Sequence, residues 1–238
     1  MKHTIDVCFS PAMLPMYDYK GAVVVVIDVL RATSSMCVAF EHGVRSIVPV
    51  ATLDESMAFR SKGFLVGAER KGERVEGFDL GNSPFSFMDE SVRGRDIALT
   101  TTNGTQAIKA AEGAASIAIG SFLNLDALCD WLKKQDRNIV LLCSGWKNAF
   151  NLEDTLLAGA VCDRLDGLFG YTDHRDAAIA AKCLYQVAQN DLLGFLENSS
   201  HRHRLANLHI EEDVAFCLTP NQTAVVPVLS DRALIAAE

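Results

Sequence analysis

Short runs of apolar, largely β-branched residues alternate along the chain with segments in which apolar residues recur at helical spacing. The apolar runs predict strands at residues 23–29, 46–50, 64–66, 97–101, 116–119, 139–143 and 223–229. The helical spacing predicts helices at 34–41, 105–112, 125–134 and 153–165, and Thr52 with Glu55 fits a capping box that starts another helix. Such alternation indicates an α/β fold with a largely parallel or mixed β-sheet flanked by helices.

The pattern becomes almost entirely helical near residues 173–217. No Pro-rich or Ser-rich linker separates this segment from the rest of the chain. We therefore expect a single compact domain over residues 1–238, in which the helical segment forms a cap or a second lobe.

Composition narrows the classes of function. The 238 residues carry a formal net charge of -8, and the pI is about 5.2. A protein that binds nucleic acid mainly through its phosphates is normally basic, so we expect no nucleic-acid partner. A local basic pocket for a small anion remains compatible with this charge.

The seven cysteines are scattered, mostly among apolar neighbours, and none forms a Cys-x-x-Cys pair. This usage is typical of buried free thiols in a reducing compartment, which predicts a cytoplasmic protein. The longest apolar run, residues 22–27, is far too short to span a bilayer, so we expect no membrane association. A symmetric homodimer is the base-rate expectation for assembly.

The turn after the first predicted strand is unusually polar and contains Asp28, Arg31, Thr33 and Ser34. In parallel α/β sheets, ligands bind at the carboxyl ends of the strands. Arg31 can clamp an oxyanion at a helix N-terminus, and Mg²⁺ is the natural bridge between Asp28 and a phosphate. The alternative is structural, with a hydroxyl capping the helix and Asp28 pairing with Arg31.

Two more strand ends are candidates for binding. A Thr-rich turn offers hydroxyls and backbone N–H groups suited to a phosphate, at Thr101, Thr102, Asn103, Gly104 and Thr105. The alternative for this turn is a Thr-rich strand end followed by an Asn-Gly turn. After the strand at 139–143 come Ser144 and Gly145, then Glu153 and Asp154, one of which would hold a metal or a water. Acids also favour a helix start for electrostatic reasons alone.

A long polar loop supplies a fourth set of candidates, Glu69, Arg70, Asp79, Asn82 and Ser83, which fit a metal or substrate site or a solvated loop. Further along, His201 and Arg202 fit either a grip on an anionic substrate or an exposed basic turn.

Taken together, these segments resemble the 2-phosphosulfolactate phosphatase family, the ComB family of coenzyme M biosynthesis. The matching stretches are residues 28–33, 69–70, 77–84, 101–105 and 153–155, with Asp213 and Cys217. They run in family order over nearly the whole chain. The resemblance implies an α/β, Mg²⁺-dependent enzyme that hydrolyses 2-phosphosulfolactate to 3-sulfolactate and phosphate.

The sequence therefore predicts a magnesium-dependent phosphatase acting on a small anionic phosphomonoester. Mg²⁺ would be held by Asp28 and by Glu69 or Asp79, while Arg31 and Arg70 neutralise phosphate oxygens. As the catalytic acid or base, Glu153 or Asp154 would orient the attacking water or protonate the leaving alkoxide. Direct attack by water and an aspartyl-phosphate on Asp28 are both open. Two rival functions also remain: a lyase or isomerase acting on a small phosphorylated acid or sugar phosphate, and a non-catalytic anion-binding protein.

Overall fold

The computed structural model describes residues 3–172, 175–200 and 210–237. Within them the strands are β1 (Ile5–Cys8), β2 (Val23–Ile27), β3 (Ser46–Pro49), β4 (Leu65–Arg70), β5 (Glu73–Arg74), β6 (Asp96–Thr100), β7 (Ser116–Gly120), β8 (Ile139–Cys143), β9 (Pro227–Ser230) and β10 (Ala233–Ala236). The helices are α1 (Ala32–Glu41), α2 (Leu53–Arg60), α3 (Gly104–Ala110), α4 (Leu125–Lys133), α5 (Leu152–Arg164), α6 (Arg175–Ala188), α7 (Leu192–Phe195) and α8 (Glu211–Cys217). The predicted mixed α/β architecture is confirmed.

Strand β2 shows why the apolar runs form buried strands. All five of its residues are buried. Val23 and Val25 pack into one hydrophobic cluster, and Val24 packs into the cluster on the opposite face of the sheet. A strand covered on both faces has no solvent-facing position, so its sequence is continuously apolar.

Helix α2 begins where the cap predicts. The Thr52 hydroxyl accepts a hydrogen bond from the Glu55 N–H at 3.1 Å, while the Glu55 carboxylate accepts one from the Ala51 N–H at 2.9 Å. Helix α1 begins two residues before the predicted start, at Ala32.

The order of strands in the sheet is β1-β8-β2-β7-β9-β10-β3-β6-β4-β5. Two parallel groups, β1-β8-β2-β7 and β3-β6-β4, are joined by the antiparallel hairpin β9-β10. Because β9 is antiparallel to β7 and β10 is antiparallel to β3, the second group runs opposite to the first. The carboxyl ends of the two groups would therefore lie at opposite edges of a flat sheet.

Close packing of Gly104 against Asp28 shows that the sheet is not flat. Strands β2 and β6 are five interstrand steps apart, which is about 24 Å in a flat sheet. Yet a Cβ atom on Gly104, just after β6, would lie 2.9 Å from the Asp28 Oδ2 atom, just after β2. The sheet is therefore twisted and curled enough to bring the carboxyl ends of β2 and β6 together, which differs from the single sheet edge expected for one parallel sheet.

The helices after residue 175 pack on the first parallel group. Ala181 of α6 and Val214 of α8 belong to the same hydrophobic cluster as Val7 of β1 and Leu141 of β8. This shared core supports the single-domain interpretation of the helical segment, which stays a prediction. None of the helices in the described part of the chain is long and apolar enough to cross a membrane.

Candidate active site

A cavity of about 190 Å³ lies where the two groups of strands meet. It is lined by Asp28, Leu30, Arg31, Glu69, Lys71, Gly72, Asn82, Thr102, Asn103 and Trp146. The structure thus brings together six of the predicted site residues: Asp28, Arg31, Glu69, Asn82, Thr102 and Asn103. Sequence reasoning assigned no role to the other four, Leu30, Lys71, Gly72 and Trp146.

Asp28 is the carboxylate at the end of β2, and it is 7% exposed. Its backbone is fixed by Thr33, whose hydroxyl accepts from the Asp28 N–H and whose N–H donates to the Asp28 carbonyl, both at 3.0 Å. Burial raises the pKa of Asp28 well above its usual value, and the nearby carboxylates of Asp154, Glu69 and Glu153 raise it further. A cation at this position would relieve that repulsion.

Arg31 forms a buried ion pair with Asp213 of α8. Asp213 also accepts a hydrogen bond from the Ser83 hydroxyl at 2.9 Å, and Arg31 Nη2 donates to the Gly72 carbonyl at 2.5 Å. The partner of Arg31 is therefore Asp213, which differs from the alternative in which Asp28 pairs with Arg31. A guanidinium carries five N–H groups, so others remain for a ligand.

Glu69 joins two loops across the pocket. Its carboxylate accepts from the Gly72 N–H at 2.6 Å and from the Thr102 N–H at 3.1 Å, and the Thr102 hydroxyl also donates to it. These bonds, which use both carboxylate oxygens, fix the orientation of Glu69. The residue is 6% exposed and lines the cavity.

Several predicted substrate-binding hydroxyls support the turns instead of lining the cavity. Ser34 is fully buried and donates to the Val29 carbonyl at 2.8 Å, and Thr33 holds Asp28 as described. Thr101 and Thr105 are buried and bond each other, with the Thr101 N–H donating to the Thr105 hydroxyl at 3.1 Å. The threonine hydroxyls face the protein because the backbone N–H groups of tight turns need acceptors.

Asp154 is likewise hydrogen-bonded to groups at the strand ends. It is fully buried and accepts from the Val29 N–H at 2.8 Å, from the Ser144 hydroxyl at 3.1 Å and from the Gly145 N–H at 3.2 Å. These bonds tie the ends of β2 and β8 to α5. Burial, followed by the charge of Glu153, raises the pKa of Asp154 to about 7.

Neither Glu153 nor Asp154, predicted as catalytic, lines the cavity, and the same is true of Ser144 and Gly145, predicted to bind substrate. Glu153 is 1% exposed and accepts from the Asn151 amide at 3.1 Å. Its charge adds to the negative field around Asp28.

The structure places Asp79 away from the cavity. Its carboxylate is exposed and pairs with Arg60 at 2.9 Å, and it also accepts from the Val66 N–H.

Arg70 and Ser83 also do not line the cavity. Arg70 donates to the Glu69 carbonyl and to the Thr100 hydroxyl, and the Ser83 hydroxyl donates to Asp213. The predictions for His201 and Arg202 fall outside the described residues.

Asn82 supplies an unused acceptor. The residue is 7% exposed, lines the cavity, and its side-chain oxygen is buried without a hydrogen-bond partner. Such an atom is costly unless a ligand satisfies it. Among residues 3–172, 175–200 and 210–237, no group of three or more His, Cys, Asp or Glu side chains is arranged to hold a metal ion. A metal here would therefore depend on one or two carboxylates, the Asn82 oxygen and exogenous ligands.

Comparison with known proteins identifies the family of the chain. A family model described as 2-phosphosulpholactate phosphatase matches residues 8–232. The chain belongs to this family. It is therefore an enzyme of the phosphatase class, a phosphoric monoester hydrolase, and the family resemblance found in the sequence is confirmed.

Three relatives show how far the family similarity extends. A protein of Thermotoga petrophila is 41% identical over 95% of this chain and 97% of its own length. A protein of a Synechococcus species is 39% identical over 92% of this chain and 93% of its own, and one of Caldanaerobacter subterraneus is 36% identical over 90% of both. All three are named "probable 2-phosphosulfolactate phosphatase".

Proposed function

We propose that this phosphatase hydrolyses 2-phosphosulfolactate to 3-sulfolactate and phosphate. The relatives that carry this substrate in their names match the chain over nearly its full length. The observation that carries the proposal is the placement of Asp28, a buried carboxylate that lines a small cavity together with Arg31. Phosphoryl transfer requires positioned charges of both signs around the phosphate, and the two residues supply them.

We infer that Mg²⁺ is the cofactor and that Asp28, Glu69 and the Asn82 side-chain oxygen hold it. All three offer the hard oxygen ligands that Mg²⁺ prefers, and one or two carboxylates suffice when substrate and water complete the shell. Glu69 is oriented by hydrogen bonds from Gly72 and Thr102, as metal-binding carboxylates commonly are. When bound, the ion would neutralise phosphate oxygens and the charge that develops on the leaving group.

Around that centre, the chain's own groups orient the substrate. Arg31, fixed by Asp213, would donate its remaining N–H groups to the phosphate. Thr102 and Asn103, just before α3, also line the cavity and would hold the phosphate from that side. Asp154 keeps the strand ends in place and does not contact the substrate in this proposal.

The test is phosphate release from 2-phosphosulfolactate, 2-phospholactate and 2-phosphoglycolate, each with Mg²⁺ and with EDTA. We expect release that requires Mg²⁺ and is fastest with 2-phosphosulfolactate. Equal rates with all three would keep the phosphatase and contradict the specific substrate. Full activity in EDTA after extensive dialysis would contradict the proposed magnesium site.

We also infer a cytoplasmic location, because all seven cysteines are unpaired, six of them buried. A symmetric homodimer stays a prediction, and light scattering on the purified protein tests it.

A further inference from the structure

The tip of the β4–β5 hairpin carries an unexpected residue. Strands β4 and β5 pair Arg70 with Glu73, which leaves Lys71 and Gly72 as a two-residue turn. Both have positive φ, 57° at Lys71 and 85° at Gly72. Such turns favour Asn or Asp followed by Gly, so the turn geometry alone gives no reason for a lysine.

The same turn is fastened to the active site through Gly72. The Gly72 N–H donates to Glu69 at 2.6 Å, and its carbonyl accepts from Arg31 at 2.5 Å. Because both partners line the cavity, these bonds hold the tip against it. Lys71, on the other side of the turn's peptide bond, lines the cavity as well.

Lys71 and Arg31, two cationic residues that line the cavity, differ in burial and in ion pairing. Arg31 is buried and engaged by Asp213, whereas Lys71 is exposed and forms no ion pair with any residue in the described part of the chain. Its flexible four-carbon stem lets the ammonium adapt to a ligand in the cavity. A cation without an intramolecular partner beside two buried carboxylates is suited to a ligand that carries its own negative charge.

From these contacts we propose that Lys71 binds the sulfonate of the substrate and determines specificity for it. This inference rests on the proposed function. The phosphate of 2-phosphosulfolactate is on C2 and is drawn to Asp28 and Arg31, whereas the sulfonate is carried one methylene further out, on C3. Lys71 lines the same cavity but is exposed, whereas Asp28 is buried, so a lysine side chain there is suited to the more distant end of the molecule.

Three variants and two ligands test the assignment. In Lys71→Gln we expect the KM for 2-phosphosulfolactate to rise about 10- to 100-fold, the range for a lost hydrogen bond to a charged group, with kcat changed less than about 3-fold. Lys71→Arg keeps the charge and should recover most of the affinity. For 2-phospholactate, which lacks the sulfonate, Lys71→Gln should change the KM, or the inhibition constant if turnover is slow, by less than about 2-fold.

Lys147→Gln is the matched control. This lysine lies over the Trp146 ring, 5.9 Å from the ring centroid, but does not line the cavity, so both constants should stay at the wild-type values. Equal losses with both ligands, or an unchanged KM in Lys71→Gln, would overturn the assignment while the proposed function stands. A wild-type enzyme that does not hydrolyse 2-phosphosulfolactate would contradict the proposed function and this inference together. Thermal denaturation confirms that each variant is folded.

Discussion

Arg31 and Asp213, 182 positions apart in the chain, form an ion pair in which both side chains are less than a tenth exposed. Arg31 stands at the start of α1, and Asp213 lies in α8. The pair joins the C-terminal helical segment to the cavity. Without Asp213, the guanidinium would be buried with only the Gly72 carbonyl as a partner among the described contacts.

Removing the acid should therefore damage both stability and activity. We expect Asp213→Ala to lower the free energy of unfolding by about 3–5 kcal/mol, the usual cost of leaving one member of a buried pair alone. We also expect a loss of kcat/KM of at least about 10-fold, because Arg31 is no longer oriented. Urea denaturation and steady-state kinetics measure the two effects. Glu212→Gln, at the exposed neighbouring acid, is the control and should change neither.

Substitutions of Asp28 and Asp79 can be compared directly, because both residues were candidate metal ligands in the sequence and only Asp28 lines the cavity. Asp28→Asn should lower kcat by several powers of ten, of the order seen when a central catalytic group is removed. Asp79→Asn should keep kcat and the Mg²⁺ dependence near wild type, with a stability loss of about 1 kcal/mol or less from its exposed pair with Arg60. Near-normal turnover in Asp28→Asn would contradict its role.

Gly104 is predicted to tolerate no side chain. A Cβ atom there would lie 2.6 Å from the Cβ of Ala32 and 2.9 Å from Asp28 Oδ2, so Gly104→Ala must displace the carboxylate. We expect a drop in kcat of about 10-fold or more, since an ångström of misplacement costs about 100-fold in other enzymes. Gly21→Ala has no neighbour within 4 Å and serves as the control. Equal activity of the two variants would show that the close approach does not matter for catalysis.

The strands and the first helices could be predicted because local patterns determine them. Residues 23–27 are β-branched and covered on both faces, and Thr52 caps α2 through contacts within three residues. The short strand β1 was not predicted, because its four residues include the charged Asp6 and give no clear period. The β9–β10 hairpin, which reverses the second group of strands, depends on tertiary pairing that no local pattern reveals.

The sequence indicated several residues that line the cavity, but it did not indicate which way their side chains point. Asp28 and Thr102, chosen from polar strand ends, and Glu69, chosen from the long polar loop, all line the cavity. The sequence could not show that Thr101 turns its hydroxyl towards the backbone of its own turn, because facing inward or outward is decided by a rotamer. Lys71 was missed because a Lys-Gly pair gives little turn signal, although its position two residues after Glu69 placed it beside a candidate.

The cluster of buried acids should make the metal-free protein sensitive to pH. Asp154 has a pKa raised to about 7 by burial and by Glu153, against 3.8 for an ordinary aspartate. The folded state therefore holds this proton more tightly than the unfolded chain does. The stabilisation is complete below about pH 4 and is lost as the pH rises through about 7.

In EDTA we accordingly expect the Tm of the wild type to fall between pH 5 and pH 8.5. Asp154→Asn cannot ionise, so its Tm should fall less over the same range. Replacing one of its two oxygens, which accept from the Val29 N–H and from the Ser144 hydroxyl, by an NH2 group lowers its Tm at every pH. Asp130→Asn removes an exposed acid that pairs with Lys133 and whose pKa is lowered, so it is ionised throughout and should leave the decline unchanged. A wild-type Tm that rises with pH, or a decline in Asp154→Asn as steep as that of the wild type, would show that Asp154 is already ionised in the fold. The slope of Tm against pH is the informative quantity. Losing hydrogen bonds lowers Tm equally at every pH, whereas ionisation of a buried acid lowers Tm only as the pH rises.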